Sequence, residues 1–304
     1  MIVDVHCHAW RRWPYDVSVP DPDSRGSVDA LRYEMDANGV EHAAIVCARI
    51  GGGRGGVGFA NEDDNEYVLD AARRHPDRFT AWIDVDCVWR DDHHAPGAAE
   101  RLRVALEESG ARGVTHYVAG ENDGWLRTDE AEAFFAVAED AGVVLSLAAG
   151  PAWLDDLAPL ALRHPALPLL LHHLGMPAHG VRRDSDLQAL LRVAAVPSIG
   201  VKVSGFNYNS AAPIEYPYAD SIELFRDLLD AFGSERLYWG SDFPASRDML
   251  TYRQSLEVVR THCAFAGDEA IARILGGNAE RLLTAAASST TTALRNDPSM
   301  KGTP

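Results

Sequence analysis

Two histidines separated by one residue lie near the start of the chain, in the stretch DVHCH: His6 and His8. Side chains alternate along a strand, so imidazoles at this spacing project from one face. Together they can hold a metal ion, orient a water or polarise a carbonyl. Three later stretches carry residue types suited to the same work. LPLLLHH ends on His172 and His173, IGVKVS carries Lys202 and Ser204, and LYWGSD ends on Ser241 and Asp242. A carboxylate among imidazoles serves as a general base toward water or as a metal ligand. Lys202 is conspicuous by composition, since the only other lysine is Lys301 near the end, leaving 26 arginines among the 28 basic residues. It is a candidate for stabilising a developing oxyanion, with a salt bridge to a buried carboxylate such as Asp4 as the structural alternative. His116 and Tyr117 in GVTHYV, Arg49, and Arg247 after SDFP are candidate substrate contacts, the arginines for a carboxylate.

These residues need elements to position them. Eight short apolar or β-rich runs recur: IVDVH, AAIVCA, TAWIDVD, GVTHYV, GVVLSL, LPLLLHH, IGVKVS and LYWGSD. Amphipathic helical stretches such as SVDALRYEMDANG and DSIELFRDLLDAFG lie between them, several stopping at Gly or Pro. Repeated β-then-α alternation predicts a single-domain (β/α)8 barrel over residues 1–284, closed by a helix over 268–286. The polar segment 285–304 reads as a disordered tail. Active sites of this architecture lie at the C-terminal ends of the strands, where the residues above fall. In IGVKVS, Ile199, Val201 and Val203 take the helix-facing side and leave Lys202 and Ser204 to the axis. Asp242 shares a face with Tyr238 and Gly240 in the same way. Cys7, between the two histidines, points outward. His172, beside His173, is read as outward-facing too. His75, His93, His94, His164, His179 and His262 read as surface residues, and Asp84 and Asp86 as helix caps in preference to supporting partners of the site residues. Trp10, Tyr117, Trp125, Trp153, Tyr208 and Tyr216 fall near strand-to-helix loops and are candidates for an aromatic pocket. The glycine-rich GGGRGGVGF lacks GK[ST] and does not open into a helix, so it is read as a loop and not a phosphate cradle.

Composition narrows the function classes. Asp and Glu number 45 against 28 basic residues, a net charge of −17, which disfavours nucleic acid and anionic membrane surfaces. No apolar run approaches the roughly 20 residues of a membrane span. The four cysteines show no CxxC spacing and read as reduced core thiols. With no secretory pattern ahead of IVDV, the expectation is a cytoplasmic protein acting on a small molecule.

Taken in order, D-x-H-x-H, HHLGMP, VKVSGF and LYWGSDFP resemble the amidohydrolase superfamily. More narrowly, they resemble its amidohydrolase-related branch, which holds sugar-lactone and pyrone-dicarboxylate lactone hydrolases. The resemblance spans about residues 1–284. It implies a hydrolase that opens a lactone or similar cyclic ester, with Asp242 activating water and His6, His8 and His173 completing the catalytic set. It leaves room for one divalent metal, for which zinc suits the ligands, on His6, His8 and Asp242, with His173 or His116 as a further ligand, although lactonases of the branch manage without an essential ion. The chain departs from the metal-rich pattern. Strand 5 reads VVLSLAAGPAW without a histidine and strand 4 has no lysine, so a binuclear site is not expected. Thr115 and His172 replace an Arg and an Asp common among relatives. The alternative function is a metal-dependent decarboxylase of an aromatic or unsaturated acid, which the missing strand 5 histidine disfavours. A binding protein that keeps the barrel is a third reading, opposed by retention of all four motifs. A homodimer is suggested only by the resemblance.

Overall fold

Each of the eight apolar runs becomes a strand of one sheet in the order β1 to β8. A computed structural model describes residues 1–178 and 183–295, with side chains through Ala286 except that of Arg183. The strands are β1 (Val3–Cys7), β2 (His42–Val46), β3 (Phe79–Asp84), β4 (Gly113–Tyr117), β5 (Val144–Ala148), β6 (Leu169–Leu171), β7 (Ile199–Val203) and β8 (Leu237–Trp239). Successive strands pair in parallel throughout. Seven helices alternate with them: α1 (Val28–Asn38), α2 (Asp64–Arg74), α3 (Ala98–Ser109), α4 (Asp129–Asp140), α5 (Leu154–Arg163), α6 (Arg183–Val193) and α7 (Ala219–Phe232). α8 (Tyr252–Glu257), α9 (Asp268–Ala272) and α10 (Asn278–Arg295) follow β8. The molecule is a single-domain (β/α)8 barrel.

Local sequence explains where the helices begin and end. Ser27 caps α1 by accepting the Ala30 N–H, and Gly39 ends it in the left-handed conformation. Thr128 caps α4 by accepting the Ala131 N–H. The period of two sorts the strand residues. Ala43, Ile45, Leu145, Leu147, Val201 and Val203 pack in the layer shared with the helices. Val3, Val5, Val46, Trp82, Val144 and Leu170 fill the barrel interior. The loops 49–61 and 10–26 fold together around Trp10, Trp13, Ala48 and Ile50.

The barrel closes at its upper end, where Asp242 donates its N–H to the His6 carbonyl and His8 donates its own to the Phe243 carbonyl, both at 2.6 Å. Gly240 permits that approach, since a Cβ there would stand 2.4 Å from the His6 Cβ. α10 covers the opposite end through Ala279, Leu282 and Leu283. It continues through Arg295, into the segment read as a tail; residues 296–304 lie outside the described residues. Among the described residues no helix is long and apolar enough to cross a membrane.

Candidate active site

The first histidine pair depends on an irregularity in β1. Its register against β2 shifts between Asp4 and Cys7. Val3 and Val5 lie in the barrel interior below the shift, and His6 and His8 face the mouth above it. Asp4 turns outward and accepts the His6 N–H (3.1 Å), the Ser241 N–H (3.0 Å) and the Tyr252 hydroxyl (3.0 Å). Burial pushes its carboxyl up to about 6, against the pull of those donors. Asp4 thus buckles the ends of β1 and β8 together, and fixes His6 relative to Asp242.

Asp242 sits where β8 ends, with its backbone in the left-handed region at φ 57°. Its Oδ1 lies 3.4 Å from His6 Nε2 and 3.5 Å from His8 Nε2. Its Oδ2 accepts the Tyr208 hydroxyl at 2.6 Å. Burial raises this carboxyl; His173 and His8 in their protonated forms and the Tyr208 hydroxyl act the other way, and it lies below the ordinary carboxylate value. The group is ionised at neutral pH. Tyr208 and Tyr117 are pushed up, by burial first and by Asp242 second, so both remain hydroxyl donors.

His173 lies just past β6 on a turn where it and Leu174 adopt φ 47° and 54°. Its ring meets His6 edge-on at 4.5 Å, and its Nδ1 is 3.1 Å from Ser204 Oγ. Burial pushes it down to about 4, so it is neutral at pH 7. Beneath these groups runs a buried polar chain. His172 Nε2 is 2.6 Å from Ser146 Oγ, Ser146 Oγ accepts from Lys202 Nζ at 2.6 Å, and Nζ lies 3.1 Å from His6 Nδ1. Burial pushes Lys202 well down, as it does His172 and His6. An uncharged amine can accept the His6 Nδ1–H while donating to Ser146, which leaves the His6 Nε2 lone pair facing Asp242.

The structure brings His6, His8, His173 and Asp242 to one mouth with Tyr117. Beside them opens a cavity of about 570 Å3, lined by His8, Tyr15, Tyr117, His173, Tyr208 and Asp242 and walled by Ala148, Pro151 and Met176. A larger groove of about 840 Å3 lies at the other end of the barrel, along Met1, Arg78 and Glu280, away from these groups.

Other sequence readings are corrected. His172 faces inward, because the alternation that puts Leu170 in the interior puts His172 there too. His116 faces outward, because Tyr117 takes the inner face; it packs on Phe134 and Trp125, and burial pushes it down to about 3. Lys202 faces the axis but makes no ion pair with Asp4; it lies under His6 and 4.6 Å over the Trp82 ring. Arg49 is bound to Asp84, and Arg247 is exposed and donates to the Arg25 carbonyl, so neither lines the cavity. Asp84 and Asp86 cap no helix: Asp84 accepts from the Arg49 N–H and Trp89 Nε1, and Asp86 from the His94 N–H and Arg101. His93 and His94 are largely buried, and His164 is held between Glu132 and Glu139. His179 lies outside the described residues. Of the aromatic candidates, Tyr117 and Tyr208 line the cavity, Trp10 stacks behind His8 at 5.0 Å, and Trp125, Trp153 and Tyr216 pack elsewhere. Tyr15 was not among the sequence candidates. It comes from the irregular loop after β1, which gives no periodic signal.

Two features make the His6–His8–Asp242 group fit for a divalent ion. His6 Nε2 is buried without a hydrogen-bond partner. His8 Nδ1 is 2.7 Å from the Val46 carbonyl, which only accepts, so His8 Nε2 presents a lone pair toward the Asp242 carboxylate. Ligand atoms of the three residues lie within 4.8 Å of one another, and three such ligands are what an open catalytic site offers. On β5 the inward Ser146 and its neighbour Ala148 offer no further ligand.

Barrel, strand-end histidines and β8 aspartate define an amidohydrolase. The amidohydrolase family model matches residues 3–284, and the chain belongs to that family. It is 27% identical over 288 residues to an L-fucono-1,5-lactonase from Burkholderia ambifaria, covering 91% of this chain and 93% of that protein. Its fold matches a probable 2-pyrone-4,6-dicarboxylic acid hydrolase from Acinetobacter baumannii with citric acid bound, with a TM-score of 0.71 at 21% identity over 93% of this chain and 99% of the other. It also matches an amidohydrolase from Burkholderia multivorans with bound zinc, with a TM-score of 0.69 at 22% identity and the same coverage. At those identities the structural likeness speaks for the fold.

Proposed function

We propose that this protein hydrolyses a sugar lactone, with Asp242 as the base that takes a proton from water. The observation that carries the proposal is an ionised, buried carboxylate at the edge of a cavity large enough for one sugar ring. Water adds to the lactone carbonyl carbon as Asp242 accepts its proton. The bond to the ring oxygen then breaks, and that oxygen takes back the proton held by Asp242, giving a hydroxy acid and restoring the carboxylate. Tyr208 anchors Asp242 Oδ2 and so aims the carboxylate. The hydroxyls of Tyr117 and Tyr15 are donors for the carbonyl and the sugar hydroxyls. A divalent ion held by His6, His8 and Asp242, for which zinc suits the ligand set, would polarise the carbonyl and acidify the water. Lys202 supports His6 from beneath and is not placed to touch the substrate.

The lining favours a neutral ring over a dicarboxylate. Among the described residues no arginine or lysine lines the cavity, while Asp186 does. The relative's activity on a sugar 1,5-lactone points to the same class. The test is a panel of aldono-1,4- and 1,5-lactones, simple cyclic esters and a pyrone dicarboxylate, followed by acid release. Turnover of sugar lactones with no turnover of the dicarboxylate is expected. Turnover of the dicarboxylate alone would overturn the substrate assignment.

A further inference from the structure

A second cluster of imidazoles lies behind the Tyr117 wall, on the outer side of β3 and β4. His116 projects from β4, and His93 and His94 come from the loop between β3 and α3. His116 is fully buried and the His94 side chain is 6% exposed. His94 stacks flat on Trp125, with ring centroids 4.1 Å apart, and meets Trp153 edge-on.

The hydrogen bonds assign the tautomers. His116 Nδ1 is 3.2 Å from the Val85 carbonyl, which can only accept, so Nδ1 carries the proton and Nε2 the lone pair. His94 Nδ1 is 2.7 Å from the Asp123 carboxylate, again an acceptor, so this Nδ1 carries a proton as well. In its neutral form His94 therefore also presents a lone pair at Nε2. The two Nε2 atoms lie 3.2 Å apart. Two lone pairs at that distance repel unless a cation lies between them. Two nitrogen ligands on a tetrahedral zinc, each at about 2.0–2.1 Å, stand about 3.3 Å apart. A carboxylate or carbonyl holding the far nitrogen of each ligating imidazole is the usual second layer of a metal site. A third donor is at hand, since ligand atoms of Asp86, His94 and His116 lie within 4.8 Å of one another. His93 shows the same arrangement, with Nδ1 2.7 Å from the Asp86 carbonyl and a buried Nε2 that has no partner. Asp86 and His94 both hold the left-handed backbone conformation, φ 55° and 54°, disfavoured for residues with a Cβ and kept where the surroundings enforce it.

We propose that His94 and His116, with Asp86, bind a second divalent transition-metal ion of the zinc class, outside the hydrolytic centre. The ion ties the β3–α3 loop to β4 and, through Asp123, to the loop that follows β4. Its role is to brace the strand whose next residue, Tyr117, lines the cavity.

The competing arrangement is a protonated His94 shared between Asp123 and His116. Metal-stripped protein is titrated with Zn2+ and Co2+ as wild type, His94→Gln, His116→Gln and His8→Gln. Metal equivalents are counted by elemental analysis, and the Co2+ absorption is recorded. Wild type is expected to bind one equivalent more than His94→Gln or His116→Gln, and His8→Gln is expected to keep that equivalent. Asp123→Asn, at a half-exposed position that does not itself ligate in this scheme, is expected to weaken this site about 10–100-fold. It keeps the test open should the glutamine variants fail to fold. Equal metal content in folded wild type and His94→Gln overturns the proposal. So does a histidine NMR spectrum in which His94 stays doubly protonated in zinc-saturated wild type.

Discussion

Replacing Asp242 by Asn tests the mechanism most directly. Asn keeps the shape and the acceptor for the Tyr208 hydroxyl at Oδ2, now 2.6 Å away. It removes the charge and the basicity, and it turns an amide toward the two imidazole nitrogens, now 3.4 and 3.5 Å from Oδ1. A positioned general base contributes about 10^2–10^4 in rate, or roughly 3–5 kcal/mol of barrier at 1.36 kcal/mol per decade. The expected fall in kcat/KM is therefore about 10^2–10^4. Folding should survive, because a buried charge is removed while its hydrogen-bond partner keeps an acceptor. The assay follows acid release from a sugar lactone, at limiting and saturating substrate, for wild type and variant. Metal content and thermal midpoint are measured alongside, and saturating Zn2+ is added to separate lost basicity from a lost ligand. A fall of less than tenfold in folded Asp242→Asn, with or without added metal, refutes the base assignment. The wild-type pH profile carries a linked expectation. Activity needs Asp242 ionised; its carboxyl lies below the ordinary carboxylate value, and His173 beside it is pushed down to about 4. The acid limb should therefore fall below pH 5, with an apparent value that belongs to the coupled pair.

Tyr208→Phe keeps the ring and removes the donor to Asp242 Oδ2. A hydrogen bond to a charged group is worth about 1.5–3 kcal/mol, so kcat/KM should fall about 10–100-fold and the acid limb should move to higher pH; an unmoved acid limb counts against Tyr208 as a Asp242 partner. Lys202→Met fills similar space with an apolar chain and removes the group between Ser146 and His6. The protein should fold, and metal affinity at the mouth should drop about 10–100-fold as His6 loses its support; unchanged affinity, read by equilibrium dialysis, would show that His6 needs no such partner. Stability should also fall with acid in metal-free protein. His6, His172 and His173 have folded values below the ordinary 6.5, so between that value and about 4 the unfolded chain binds protons that the folded chain excludes. Each such histidine then contributes a rise in stability with pH in this window, at most about 1 kcal/mol per pH unit, which the raised carboxyl of Asp4 partly opposes. Urea midpoints at pH 5 and pH 7 that coincide would contradict this account.

The barrel was legible because strands covered on both sides leave continuous apolar runs, and eight of these alternate with amphipathic helices. The inward faces of β7 and β8 were legible from alternation alone, as Lys202 and Asp242 show. The same rule applied to β4 and β6 would have placed Tyr117 inside and His116 outside, and His172 inside with Leu170. The misreading of His172 came from treating adjacent histidines as one in and one out. That fails because the chain leaves β6 through left-handed residues at His173 and Leu174, and the turn brings the second ring back to the axis. The shift in β1 between Asp4 and Cys7 was equally silent, since a register irregularity depends on the neighbouring strand. Tyr15, His93 and His94 lie in loops, where no period ties a side chain to a direction.

Lys202 and the buried histidines illustrate how one physical cause serves both structure and chemistry. Burying six ionisable groups in charged form would be prohibitive. Burial instead drives His6, His172, His173 and Lys202 toward their neutral forms, while the Asp242 carboxyl, its Oδ2 held by the Tyr208 hydroxyl, stays below the ordinary carboxylate value despite its burial. The mouth therefore carries one negative charge ringed by neutral nitrogen donors. Such an arrangement attracts a dication and leaves lone pairs free to bind it. It also leaves a carboxylate able to take a proton from water at neutral pH. The hydrogen-bonded chain from His172 through Ser146 and Lys202 to His6 gives each neutral group a partner, which makes the unprotonated state tolerable inside the barrel. An arginine in place of Lys202 could not follow this path, because it cannot give up its proton. The only lysine among the described residues thus lies where a basic side chain must be able to become neutral.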